Sequence, residues 1–503
     1  MSRPSLKWNI VATYISQAYG AGVGLLVAPI YVGYMGLEAY GLVGIFTMMQ
    51  AWFQFFDIGL TPTLSRETAR YATGTEDDAD RLRRLLRILE TAFIAVALAG
   101  CAVICYGADA IAGKWLNVRN LPLEEVRQCL VLMSFGAGAR WLSSLYRSAI
   151  NGFERLIWLS GANIVLTTLR FLLVIPVMIY VGAGPVLFFS YQLGVALLET
   201  TLLFFKARSL LPGPVPSGHT GRESQPLSGL VRFSLSIAFA NVAWLLFTQS
   251  DKLLLSKFLS LDEYACFSLG TVMAGGIFVL SSPISVPLLP RMSGLVAQGD
   301  EKGVLALYRE TTQLVGVLVV PATLLLGLFA QQVAWAWTGD VELSRRVAPI
   351  LALYATGNGA VALGAFPYYL QFAKGNLRLH LWGNVLLITL LVPALIWGTM
   401  RYGAIGAGTV WAVVNALFFL SWTPLVHHRF AAGLHLQWLW RDICAIFLPT
   451  TAIALIIHSS HRWPSQRWTN CAAILIAGAV LLCVSIASSS QMRGKIYARC
   501  IKR

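Results

Sequence analysis

The stretch Phe247–Lys257 reads FTQSDKLLLSK and sets an aspartate and a lysine, Asp251 and Lys252, inside an apolar run where a chain otherwise avoids charge. The run follows a break at residues 206–227 and starts a second copy of a pattern that opens the protein. Both features point the same way. The chain reads as a membrane protein of two similar halves, with ionisable groups inside both.

Composition supports the membrane class. Of 503 residues, 57% are apolar and only 12% charged, with mean hydropathy +0.66. A soluble domain carries about 25% charged residues. Stretches of about 18 to 25 residues with little charge recur along the chain, each long enough to cross a hydrocarbon core of about 30 Å as a helix. Backbone groups in lipid must bond internally, so helices are the default. A transmembrane barrel would show short alternating segments, and none are seen. The expected fold is all-α, with about fourteen transmembrane helices. Their expected positions are roughly 9–33, 39–60, 86–106, 127–146, 157–180, 183–205, 231–256, 264–289, 310–331, 346–370, 379–399, 403–423, 439–457 and 470–489.

Loop charge sets the orientation. With the N-terminus cytoplasmic, 26 of the 38 basic residues fall on the inner side, including Arg147, and nine on the outer side. The remaining three, Arg140, Arg170 and Lys252, lie within spans. This asymmetry predicts both termini inside, and it accounts for the net charge of +15 without nucleic acid. Outer loops are short, so an extracytoplasmic catalytic domain is not expected, and neither is an enzyme. No cleavable signal peptide is expected, because the first apolar stretch is too long for one. Pro212–Gly218, PGPVPSG, resists helix and strand interiors and reads as a linker. The eight cysteines read as packing groups, without metal-ligand spacing. His427-His428 reads as part of a solvated loop rather than a metal site, and no nucleotide-binding P-loop is present.

The repeat appears as paired motifs. Leu37-Glu38-Ala39-Tyr40 matches Leu261-Asp262-Glu263-Tyr264, Leu64-Ser65-Arg66 matches Leu289-Pro290-Arg291, and Gly74 matches Gly299. Gly152 and Arg155 later match Gly375 and Arg378. The offset stays between 223 and 225. Halves of equal orientation are related by an axis along the membrane normal. The expected domains are an N-terminal bundle over 1–205, a cytoplasmic linker over 206–230, a C-terminal bundle over 231–423, and two added helices with a basic tail over 424–503.

Charges within spans are expensive unless they face a cavity or pair with each other. Arg140, Arg170 and Lys252 are candidates for a cationic cavity that accepts an anion; snorkelling or a fastening ion pair is the alternative. Asp57, Glu199 and Asp251 are candidates for ion coupling or for structural pairing. Residues one apart on a helix do not face each other, so Lys252 could meet an anion while Asp251 holds another helix. No cofactor or metal is expected, and H+ or Na+ coupling stays open.

Three segments resemble the polysaccharide flippases of the multidrug/oligosaccharidyl-lipid/polysaccharide exporter superfamily: FFDIGLTPTLSRETARYATG (Phe55–Gly74), RSAINGFER (Arg147–Arg155) and QSDKLLLSKFLSLDEYACFSL (Gln249–Leu269). The resemblance covers residues 7–425. It implies two pseudo-symmetric six-helix bundles around an inverted-V cavity, plus a C-terminal helix pair. It also implies translocation of an undecaprenyl-pyrophosphate-linked oligosaccharide across the bacterial inner membrane for O-antigen, capsule or exopolysaccharide. Of the candidate cations, the family motif covers Lys252 alone. Implied partners are the lipid-linked glycan, membrane lipids, and polysaccharide polymerase and chain-length machinery, with a monomer as the transport unit. A peptidoglycan-precursor flippase, which in this superfamily also has fourteen spans, and a cation-coupled drug exporter are the alternatives within transport. A membrane glycan polymerase or glycosyltransferase, or a non-transporting scaffold, are alternatives from other classes.

Overall fold

The computed structural model describes residues 6–57, 59–71, 77–211, 245–285, 287–460 and 463–494. The described residues are helical, with one isolated bridge between Asn117 and Ser260 as their β-type pairing. Most of the predicted linker, including Pro212–Gly218, and the first part of the predicted span 231–256 lie outside the described residues. The chain divides into two compact units, Met1–Ala265 and Cys266–Arg503.

The first unit contains α1 (Leu6–Met35), α2 (Leu37–Phe53), a 3-10 turn (Gln54–Asp57), α3 (Leu60–Tyr71), α4 (Asp77–Ala110) with a π-turn at its end (Ile111–Trp115), and α5 (Leu123–Gly152). It continues through α6 (Leu156–Thr167), a second π-turn (Thr168–Leu172), α7 (Val174–Tyr180), α8 (Pro185–Leu210) and α9 (245–258). The division between the units falls inside α10 (Leu261–Ser285). The reason is local. The residues that lead into α10 bond to the α4–α5 connection: Leu261 N donates to Asn117 O (3.1 Å), and Trp115 Nε1 donates to Ser256 Oγ (3.0 Å). Two glycines allow close backbone approach. A Cβ at Gly41 would lie 2.3 Å from Leu261 O, and one at Gly152 would lie 2.4 Å from Ser65 O.

The second unit holds α11 (Leu288–Ala297), α12 (Glu301–Leu328), α13 (Ala330–Thr338), α14 (Val341–Gly364), α15 (Phe366–Ala373) and α16 (Arg378–Phe430). It ends with α17 (Leu434–Trp438), a π-turn (Leu439–Cys444), α18 (Ala445–Ser460) and α19 (Arg467–Ser488). Capping follows the sequence. Asp300 accepts from Gly303 N (2.8 Å) ahead of α12, and Asp340 accepts from Glu342 N (2.8 Å) and Leu343 N (3.1 Å) ahead of α14. Among the described residues, ten helices are long and apolar enough to cross a membrane by length and composition. One of them, α16, has 53 residues and a non-helical Gly403 with φ +58°. At 1.5 Å per residue it is more than twice as long as a hydrocarbon core of about 30 Å.

The last helices pack against α12 through a buried polar network. Asp442 is 0% exposed and accepts from Arg309 Nε (2.7 Å), Arg309 Nη2 (3.1 Å) and Gln313 Nε2 (2.6 Å). Gln313 Oε1 in turn accepts from Ser489 Oγ (2.7 Å) and Gln491 N (3.1 Å). The expectation of a solvated loop at His427-His428 is overturned. His428 is exposed, but both residues lie on α16, and His427 is fully buried against Tyr308 and Trp438. Helical phase separates the neighbours, since adjacent residues point about 100° apart.

A candidate anion site built from three arginines

The polar centre of the first unit is a ladder between two packed helices, α5 and α8. Arg140 and Arg147 are seven residues apart on α5, and Gln192 and Glu199 are seven apart on α8. Seven residues make nearly two turns, so each pair shares a face and is spaced by about 10 Å. The rungs match: Arg140 Nη2 donates to Gln192 Oε1 (2.7 Å), and Arg147 Nη2 donates to Glu199 Oε1 (2.7 Å).

A third arginine arrives from the π-turn at Thr168–Leu172. Such a turn interrupts the regular ladder and leaves carbonyls that need other donors. Neighbouring side chains supply them. Tyr191 Oη donates to Leu169 O (2.7 Å), Gln192 Nε2 to Arg170 O (3.0 Å) and Tyr31 Oη to Phe171 O (2.7 Å). The turn is thereby fixed, and the Arg170 guanidinium reaches Glu199 Oε2. Glu199, 3% exposed, thus accepts from two guanidinium groups at once, while Arg147 also donates to Asn163 Oδ1.

Two arginines therefore share one carboxylate, and a third stands on the next rung. Arg140 is held by neutral partners, Gln192 and Gln50 (Nη1 to Oε1, 2.9 Å), and its guanidinium lies 5.0 Å from the Phe46 ring centre. Both Arg140 Nε and Arg170 Nε are buried without a hydrogen-bond partner among the described residues. A cavity of about 230 Å³ opens beside the lower rung, lined by Ser16, Gln17, Asn163 and Thr167 together with Arg147, Arg170 and Glu199. Guanidinium groups beside such a cavity, those of Arg147 and Arg170, suit a phosphate or carboxylate, which accepts paired N–H groups.

The predicted residues do not all gather here. Arg170 and Glu199 line the cavity, and Arg140 sits two turns away on the same ladder. Lys252 is absent from the lining; its Nζ donates to Gln249 Oε1 (3.1 Å) on α9. Asp251 is buried, and its Oδ1 accepts from Lys252 N (2.7 Å). Asp57 holds the start of α3, accepting from Thr61 N (2.9 Å) and Thr61 Oγ1 (2.5 Å). Arg147, counted with the inner side in the charge reading, belongs to α5, which runs on to Gly152. The matched spacing of 140/147 with 192/199 was the available signal for it. Asn163, Ser16 and Gln17 carry no such signal.

Among the described residues no cluster of three or more histidine, cysteine or acidic residues suits a metal ion. The family model described as "Polysaccharide biosynthesis protein" matches residues 6–296, more than half of the chain. An uncharacterized membrane protein of Methanocaldococcus jannaschii is 24% identical over 299 residues, covering 58% of this chain and 68% of that protein. A Shigella flexneri protein provisionally named an O-antigen transporter is 17% identical over 453 residues, 87% of this chain and 99% of that one. Among solved structures, the lipid II flippase MurJ in an inward closed conformation superposes with a TM-score of 0.73 at 13% identity, covering 99% of this chain and 100% of that one. The chain belongs to the polysaccharide biosynthesis protein family, and so to the transporters of the multidrug/oligosaccharidyl-lipid/polysaccharide superfamily rather than to catalytic enzymes.

Proposed function

We propose that this protein flips a polyprenyl-pyrophosphate-linked glycan between the leaflets of a bacterial inner membrane by alternating access. One observation carries the reading: two guanidinium groups, those of Arg147 and Arg170, share a single carboxylate beside a polar cavity, with Arg140 on the next rung of the same ladder. A pyrophosphate would meet Arg147 and Arg170 first. Arg140 adds positive potential from the next rung, and Lys252 is a separate candidate contact on α9. The same excess of positive charge disfavours a cationic drug. Coupling to H+ or Na+ would use Glu199, Asp251 or Asp57.

The architecture that fits this function has about fourteen spans. The ten long apolar helices support it, because α16 counts as two crossings; Leu37–Phe53, Leu123–Gly152 and the α9 region complete the number. In this reading 1–205 and 231–423 are six-helix bundles, 206–230 joins them in the cytoplasm, and 424–503 adds a helix pair and tail, with both termini inside. Helix starts at Leu37 and Leu261, at the matched LEAY and LDEY motifs, support the two-half reading. The transport unit is a monomer, working with polymerase and chain-length proteins if the glycan is a polysaccharide unit.

Two glycan classes compete. Likeness to a lipid II flippase along nearly the whole of both chains favours a peptidoglycan precursor. Family membership and the Shigella relative favour an O-antigen, capsule or exopolysaccharide unit. The first of these has the stronger structural support. Reconstituted protein offered lipid II and a lipid-linked O-antigen unit, with leaflet accessibility as the readout, separates them. Movement of neither under proton or sodium gradients, with folding verified, rejects the flippase reading.

A further inference from the structure

Away from the arginine site, the second unit contains a hydrogen-bond chain of three aromatic groups. Tyr308 Oη on α12 lies 2.7 Å from His427 Nε2 on α16, and His427 Nδ1 lies 3.1 Å from His435 Nδ1 on α17. Tyr308 and His427 are fully buried, whereas His435 is partly exposed. A neutral imidazole has one N–H and one lone pair. Two Nδ1 atoms in contact therefore need one hydrogen between them, and two would clash.

Nearby charges leave the chain uncommitted. Arg309 on α12 is satisfied by Asp442 in the π-turn after α17. Lys374, which follows α15, bonds to Glu301 and to Phe430 O at the end of α16. His428, Arg429 and Arg441 are exposed. Among the described residues, no carboxylate hydrogen-bonds to either imidazole, whose polar partners are each other and Tyr308. Trp438 covers His427 at 4.8 Å between ring centres and donates from Nε1 to Thr312 Oγ1 (3.2 Å).

We propose that Tyr308, His427 and His435 form a binding site for a single proton, entered through His435. In the filled state His435 carries hydrogen on both nitrogens and donates Nδ1–H to His427 Nδ1. His427 carries its hydrogen on Nε2 and donates it to Tyr308 Oη. Starting from the neutral tautomer with the same His435 Nδ1–H, filling adds one proton at His435 Nε2 and breaks no hydrogen bond. A second proton would have to sit on His427 Nδ1, against the His435 N–H. The two imidazoles thus act as one titrating unit. The site lies beside the turn that carries Asp442, so its charge acts where the last helices are fastened to α12. It does not depend on what the arginine site binds.

Proton uptake by the purified full-length protein, followed with an indicator dye from about pH 8 to about pH 5, tests the stoichiometry in the range where imidazoles charge. The double variant His427→Gln/His435→Gln takes up one proton fewer than wild type. Loss of two protons in that variant, or unchanged uptake by it, overturns the proposal. Nitrogen-15 NMR of histidine-labelled wild type tests the arrangement without any substitution. At the acid end His427 is neutral, with its hydrogen on Nε2; a charged His427, or hydrogen on Nδ1, refutes the chain as drawn.

Discussion

Each unit buries a carboxylate against arginine, and the two arrangements differ in balance. In the second unit Asp442 meets one arginine, Arg309, in a paired-donor geometry, and Gln313 completes the shell. In the first unit Glu199 is shared by Arg147 and Arg170, with Arg140 held by amides on the next rung. A balanced pair fastens helices and has nothing left to offer a ligand. An unbalanced set keeps positive potential in reserve, and beside a cavity that reserve supports the anion site proposed above. Burial of charge alone does not separate the two cases; stoichiometry and access do.

The contrast can be broken from either side. Asp442→Ala should have the largest effect, because it leaves Arg309 partly buried without its carboxylate, a loss of about 3–5 kcal/mol for a broken buried pair. Thermal unfolding in nanodiscs measures it, and an unchanged midpoint would remove Asp442 from its structural role. Arg147→Ala and Arg170→Ala should each lower flipping of a pyrophosphate-linked glycan about 10- to 100-fold through lost charge-assisted bonds. Leaflet accessibility in proteoliposomes reads this, and full activity in either variant would take that residue out of the anion site. Glu199→Gln removes the carboxylate that competes with the ligand for both guanidinium groups. Headgroup binding should tighten by about tenfold in equilibrium binding assays; weaker binding would mean that Glu199 positions the arginines more than it competes. Lys252→Ala should change flipping by less than about threefold, since Lys252 does not line the cavity and its Nζ already bonds to Gln249. A loss matching that of Arg170→Ala would place Lys252 beside the ligand after all.

Much of the site was legible residue by residue. Arg140, Arg170 and Glu199 stand out because charge inside an apolar run is rare and costly. Arg147 did not stand out. It lies near an expected helix end, where a basic residue reads as an inner-loop anchor, and only the continuation of α5 to Gly152 keeps it on the ladder. His427 was misplaced for a related reason: the polar HHR run looks like an exit from the membrane, yet helical phase turns one histidine inward and leaves its neighbour exposed. The Phe247–Lys257 motif lies on α9 in the first unit, and the polar group that meets Lys252 Nζ is Gln249 on its own helix.

The sequence by itself determined the class: an all-α membrane protein with charge buried in its spans. Apolar run length and charge sparsity are properties of consecutive residues, and the physics of lipid acts on them directly. Only the tertiary structure decided which charges share a partner. Glu199 meets Arg147 from 52 positions away and Arg170 from 29, and Arg309 meets Asp442 across 133. Electrostatic and hydrogen-bond energies depend on distances of a few ångströms, and those distances are set by helix packing rather than by separation along the chain.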